Sequence, residues 1–261
     1  MDTPHFPSGR KIFYLFPQGD FHRAAVQHII DSEYEIYTLS DHKRGLPLIF
    51  QYNGAIVFIN LDATVKADQL LIGIRDFCRQ TSNRSIALFL LCSSEEQQKQ
   101  TESYVNDFSN CSTINYGDTE KEFSEILDIT LDRLKARGQR SYVRFGTNTE
   151  EIAQISFKRK ERTFQGALHD ISSAGLSFSL KENINLPLRS KLREISLDLG
   201  YVVNDLAGQI SIKRRLPNGQ ILYVLLFEKT LSQEIRQHLR FVIHASLQRQ
   251  FIKRLEQVAV P

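Results

Sequence analysis

The sequence lacks what a membrane anchor, an oxidised scaffold or a metal centre would require. Its longest apolar runs stop well short of the roughly 20 residues that a bilayer span needs, so no membrane span is expected. The opening MDTPHFPSGR has no basic stretch followed by an apolar one, and no secretory leader is expected. Only three cysteines occur, Cys78, Cys92 and Cys111, odd in number and far apart in the chain. They make neither a CxxC pair nor a disulfide framework, and read as buried spectator thiols in a reducing, cytoplasmic setting. His22, His28, His42, His169, His238 and His244 are scattered without nucleophile or metal-ligand spacing, so neither an enzyme nor a metal or cofactor is expected.

What is present falls into two halves. The chain of 261 residues carries a formal net charge of +3. Residues 1–136 hold 13 Lys/Arg against 19 Asp/Glu, whereas residues 137–261 hold 20 against 11. An acidic half joined to a basic one indicates two modules with different partners, the second attracted to anions. The domains expected are 1–136 and 137–261.

In the first half, apolar runs alternate with helical patterns. Lys11–Phe16, Tyr34–Leu39, Ala55–Leu61, Ile86–Cys92 and Cys111–Asn115 read as strands, several of them apolar on both faces. Phe21–Ile30, Leu70–Arg79, Glu95–Phe108 and Glu120 to about Ala136 read as helices. The expectation is a doubly wound, five-stranded parallel sheet. A dinucleotide site is excluded, because the turn Pro17–Gln18–Gly19–Asp20 has one glycine where a pyrophosphate fingerprint needs three.

This order resembles, in pattern rather than motif, the receiver domain of bacterial response regulators over about residues 10–136. Phe16 and Pro17 stand where a receiver has its acidic pair, Asn60 where it has its phosphoacceptor aspartate, and Tyr116–Gly117–Asp118 where it has a lysine. Ser93 alone matches, and Asp62 lies two residues past the acceptor position. The resemblance therefore implies a pseudo-receiver that is not phosphorylated and contacts a protein partner, which the sequence does not identify.

The second half opens on an arm, residues 137–145, containing Arg137, Arg140 and Arg144. Guanidinium groups can stack on a base, clamp phosphate, or donate to guanine O6 and N7. Twenty-six residues after Arg144 stands DxSxxG, from Asp170 through Ser172, Ser173 and Ala174 to Gly175. Asp and Ser suit a tight turn and Gly175 can take positive φ there; a carboxylate can also accept from both N1–H and the 2-amino group of guanine. Leu176, Phe178 and Leu180 alternate with Ser177 and Ser179, the pattern of a half-buried strand. Further strands are expected over Glu151–Phe157, Thr163–His169, Lys191–Leu199, Gln209–Leu216 and Gln220–Glu228, the last two flanking the hairpin signal Pro217–Asn218–Gly219. A terminal helix is expected over 233–257. Lys158–Arg162 and Lys213–Arg215 read as solvated basic loops, with no aromatic ladder beside them.

RxxxR followed at this distance by DxSxxG resembles the PilZ domain, the bacterial cyclic di-GMP receptor module, over about residues 137–255. The resemblance implies a six-stranded antiparallel β-barrel with a terminal helix. It also implies a ligand site made of Arg140, Arg144, Asp170, Ser172 and Gly175, with Arg137, Ser173 and Ala174 as further contacts. The chain departs from the family in two respects: Tyr223–Phe227 lacks the glycine often found in the last strand, and Arg137 stands three residues before Arg140 where the arm often has neighbouring arginines. On this reading the chain is a non-enzymatic cyclic di-GMP receptor, in which ligand orders the arm, changes domain orientation and signals to a protein partner. The alternatives are a PilZ-like interaction scaffold without nucleotide and a DNA-binding response regulator. Nucleic acid is not the expected partner, because no helix-turn-helix is legible in the basic half.

Overall fold

The computed structural model describes residues 8–63, 67–81, 85–147, 153–182 and 184–259. Two compact units emerge: Met1–Ser141 with Gln248–Pro261, and Tyr142–Leu247.

The first unit runs β1 (Ile12–Leu15), α1 (Asp20–Asp31), β2 (Ile36–Leu39), α2 (His42–Ile49), β3 (Ile56–Asn60), α3 (Ala67–Thr81), β4 (Ala87–Cys92), α4 (Glu95–Val105), β5 (Cys111–Asn115) and α5 (Glu120–Arg133). Its five strands are all parallel, in the order β2-β1-β3-β4-β5. Helix α1 meets α5, while α2 meets α3 and α3 meets α4, the two-sided covering that a doubly wound sheet needs. That covering explains why β1 and β3 are buried at every position, and apolar at all but Asn60 at the end of β3. Ile29, Phe58, Phe123 and Leu127 belong to one core cluster, each side chain of this kind contributing about 1.5–3 kcal/mol on full burial. The guanidinium of Arg10 fastens the start of the sheet. It donates to the carbonyls of Gly54 at 2.6 Å, Ser85 at 2.6 Å and Leu134 at 3.2 Å.

Helix α2 was not legible in the sequence. Gly45 and Pro47 stand within its eight residues, and the helix is instead started by Asp41, whose carboxylate accepts from the amides of Lys43 and Arg44. Helix α5, by contrast, begins on a complete capping box between Thr119 and Glu122. All three cysteines are buried, and the thiols of Cys78 and Cys111 share a hydrogen bond.

The second unit continues with β6 (Phe145–Gly146), β7 (Gln154–Arg159), β8 (Arg162–Ser172), β9 (Gly175–Leu180), β10 (Lys191–Asp198), β11 (Val202–Arg215) and β12 (Ile221–Phe227). Antiparallel pairing runs β8-β7-β10-β11-β12-β9 and returns from β9 to β8, closing a six-stranded barrel, with the short β6 added to β8. Closure requires bending. Register shifts interrupt β10–β11, and Glu194 and Asp205 take the left-handed φ values 51° and 59°. The bulge at Asp205 also explains a difference from the expected strand: β11 starts at Val202 rather than Gln209, and the polar pair Asn204–Asp205 hides its first half from any alternation count. Strand β7 starts at Gln154; Glu151, placed in that strand by sequence, lies outside the described residues.

The chain ends in α6 (Gln233–Glu256), in which Leu239, Val242, Ile243, Leu247 and Phe251 are buried as the apolar spacing requires, while Ile252 is exposed. The ring of Phe251 packs on Tyr37 and Phe13 of the first unit, to which this part of the helix belongs. No helix among the described residues is long and apolar enough to cross a membrane.

Burial on α6 pushes the imidazole of His244 down to about 4 from its ordinary 6.5. The unfolded chain therefore takes up a proton that the folded chain refuses between these values, and stability present above pH 6.5 is lost as pH falls toward 4. At pH 5 the loss is about 2 kcal/mol. Urea midpoints measured from pH 7 to pH 5 should fall accordingly, and His244→Gln should flatten that dependence.

Candidate functional site

The DxSxxG segment forms the hairpin between β8 and β9. Ser172 pairs with Gly175, leaving Ser173 and Ala174 as a two-residue turn. The Ser172 hydroxyl donates to the Gly175 carbonyl at 3.2 Å, and the Ala174 carbonyl accepts from the Phe227 amide at 2.9 Å, tying the turn to the end of β12. Ser172 and Ser173 are both buried.

The glycine is needed for a different reason from the one expected. Gly175 does not take positive φ. It faces β12 so closely that a Cβ would sit 2.3 Å from the Leu225 carbonyl oxygen and 3.1 Å from the Leu226 Cα. The requirement is one of backbone approach, where Gly175 pairs with Leu226.

Asp170 lies on β8 between two partners. On one edge it pairs with Ser177 of β9, whose hydroxyl donates to the Asp170 carboxylate at 2.9 Å. On the other edge it pairs with Gly146 of β6, in the stretch of β8 that β7 no longer reaches. The β8–β9 register shifts at His169, so this residue bulges. Its ring meets the Ser179 hydroxyl at 2.9 Å, and its carbonyl accepts from the Thr147 amide at 2.9 Å. These contacts overturn the expectation for β9: Ser177 and Ser179 are buried, and the strand is covered on both faces rather than half-buried.

Strand β6 delivers Arg144. Phe145 is buried opposite Ile171 in the core, and the preceding Arg144, on the side of β6 toward which β8 runs to its turn, is exposed. The structure thus brings Arg144, Asp170, Ser172, Ser173, Ala174 and Gly175 into one neighbourhood of the barrel unit. Arg137 and Arg140 belong to the other unit. There Arg140 is exposed, and Arg137 stacks 4.7 Å over the Tyr34 ring and donates to the Ser32 carbonyl at 2.8 Å. Sequence reasoning missed Ser177 and Thr147. Both are small hydroxyl residues flanking the motif strands, but only the register shows that they fasten Asp170 and His169.

These geometries are accompanied by likeness to solved structures. The PilZ domain with c-di-GMP of YcgR from Escherichia coli is 18% identical, the match covering 46% of this chain and 99% of that one, with a TM-score of 0.38. The Bacillus subtilis inhibitor of motility MotI/DgrA is 16% identical over 44% of this chain and 53% of that one, with a TM-score of 0.35. The K. pneumonia MrkH–c-di-GMP complex is 15% identical over 47% and 57%, with a TM-score of 0.36. The chain thus spans little more than half of these last two proteins. No family model matches the chain, and no curated protein does. The closed six-stranded barrel is the fold expected of the second half.

The sheet edge of the first unit holds a second polar cluster. The Asn60 amide donates to the Phe16 carbonyl at 3.1 Å and holds Phe16 at a left-handed φ of 60°. The Asp62 carboxylate accepts from the Ser93 hydroxyl at 3.1 Å and from the Tyr116 hydroxyl at 2.6 Å. Burial, reinforced by the bond to Asp62, raises the Tyr116 phenol well above its ordinary range. Beneath it, Tyr14 and His22 share a buried hydrogen bond of 2.6 Å, and burial lowers the His22 imidazole. Among the described residues no three His, Cys, Asp or Glu side chains are grouped as metal ligands.

The close approach at the turn has a measurable cost. Gly175→Ala must push β12 away from β9 and is expected to destabilise the barrel by about 2–3 kcal/mol. The readout is chemical denaturation. An unchanged midpoint would show that the strands are free to separate there.

Proposed function

We propose that the chain is a non-enzymatic receptor for cyclic di-GMP, with the PilZ-like barrel as its ligand-binding module. The observation that carries this reading is the registry of Gly146 against Asp170, which leaves Arg144 two residues from the partner of the motif aspartate. Arg144 supplies a permanent cation for phosphate or the guanine O6/N7 edge, and Asp170 an acceptor pair for guanine N1–H and the 2-amino group. Ser172, Ser173, Ala174 and Gly175 form the turn against which the nucleotide rests. The neighbours whose names include c-di-GMP, YcgR and MrkH, support the same ligand class.

In this proposal Arg140 joins Arg144 on the ligand, Arg137 adds a further contact, and ordering of the arm 137–145 alters domain orientation. Ligand drives that change only to the extent that it binds the ordered arm more tightly. The first unit then acts as a pseudo-receiver toward a protein partner in the cytoplasm. Two features support the loss of phosphorylation there: an amide at Asn60 has no carboxylate to phosphorylate, and Asp62 is already engaged by two hydroxyls.

Isothermal titration of the full chain with cyclic di-GMP tests the reading. Binding heat is expected from the wild type. Arg144→Ala and Asp170→Ala should each weaken binding by about 10- to 100-fold, the worth of one charge-assisted hydrogen-bonding group. Absence of heat from the wild type ends the proposal in favour of a PilZ-like scaffold without nucleotide.

A further inference from the structure

The basic charge of the C-terminal half is not spread over the barrel. The strand registers sort it to one end. Hairpins β7–β8, closed by Arg159 against Arg162, and β11–β12, closed by Arg215 against Ile221, point the same way. Hairpins β8–β9 and β10–β11 close at the opposite end, at Ser172 against Gly175 and Asp198 against Val202. Strand β9 leaves toward the first end at Leu180, and β10 starts from it. Segments 158–162, 181–182, 189–194 and 213–215 therefore gather there, with eleven Lys/Arg and three Asp/Glu. Segments 142–147, 168–177, 198–205 and 226–230, at the end that holds the candidate nucleotide turn, contain two Lys/Arg and four Asp/Glu.

We infer that the barrel end opposite the Ser172–Gly175 turn is a binding surface for the phosphate backbone of duplex nucleic acid. Like charges packed onto one face repel, and a bound polyanion relieves that repulsion. Internal relief is small: among the described residues the only ion pair within this end joins Lys158 to Glu194 at 3.1 Å, with both side chains exposed. The presentation is rigid. Lys160 and Glu161 take φ of 47° and 60°, the left-handed pair of a two-residue type I′ turn, which fixes the basic tip of β7–β8. Between this end's other hairpin and the end of β9 lies a depression of about 370 Å³, lined by Lys181, Glu182 and Arg215 with Asn218 and Gln220, in which two cations outnumber one carboxylate.

The class of polyanion follows from what the end does not offer. The large exposed aromatics of the barrel unit are Tyr142, in the arm, and Tyr201 and Phe241, which contact one another beside the β10–β11 hairpin at the other end. Among the described residues the basic end therefore has no large exposed ring to stack on unpaired bases, as single strands require, and no aromatic anchor for a protein interface. Charge alone recognises a duplex, which presents about one phosphate per 1.7 Å of axis. The sequence expectation that these basic loops are merely solvated, with nucleic acid no partner, is revised on this ground: their convergence depends on a strand order that the sequence does not display.

The test is fluorescence anisotropy of the full chain with a labelled duplex DNA of about 24 base pairs, from about 50 to 200 mM salt. Wild type should bind, with affinity falling steeply as salt rises. The triple variant Lys213→Gln, Arg214→Gln, Arg215→Gln should reduce the log–log salt slope by up to about 2.7, at roughly 0.9 per lost phosphate contact. The pair Lys158→Gln and Lys160→Gln, on the other hairpin, should also reduce it. Asp170→Ala should leave duplex binding unchanged, and the triple variant should leave cyclic di-GMP heat unchanged, so each reading can fail alone. No duplex binding, binding indifferent to both sets of charge removal, or binding to phosphatidylglycerol vesicles without duplex binding would each overturn the inference.

Discussion

The barrel unit depends on β8 being shared. Its first half lies against β7, its second half against β6 on that same edge, and β9 takes the other edge. Backbone groups left open where β7 stops would be costly inside a barrel, and Phe145, the last residue of the arm, and Gly146 satisfy them. The end of the arm is thereby part of the sheet, and Arg144 has its place because Phe145 is committed to the core.

The turn itself is over-determined by ordinary structural needs. Ser172 closes the turn, Gly175 admits β12, and Ser177 occupies one oxygen of Asp170. What these roles leave over is an exposed Arg144 one position before β6 and a carboxylate already oriented by a hydroxyl.

The large periodic signals were legible in the sequence. Runs such as Ala55–Ile59 and Ile86–Cys92 are apolar throughout because a parallel sheet is covered on both faces, and the Asn218–Gly219 turn marks its hairpin by chemistry alone. The motif residues Asp170, Ser172 and Gly175 were legible as a group, although Gly175 serves close packing instead of positive φ. Illegible were features that depend on partners distant in the chain. The bulge at His169 is defined by Ser179 and Thr147, the burial of Ser177 by Asp170, and the gathering of charge by strand order. Helix α2 was hidden for a local reason, since glycine and proline within two turns mimic a loop.

The tightness between Gly175 and Leu225 has a consequence for reading motifs elsewhere. In this barrel the glycine is needed for closure, whether or not a nucleotide is ever met. Of the three fixed letters in DxSxxG the last therefore reports architecture, and its presence in a sequence speaks for a closed barrel before it speaks for a ligand.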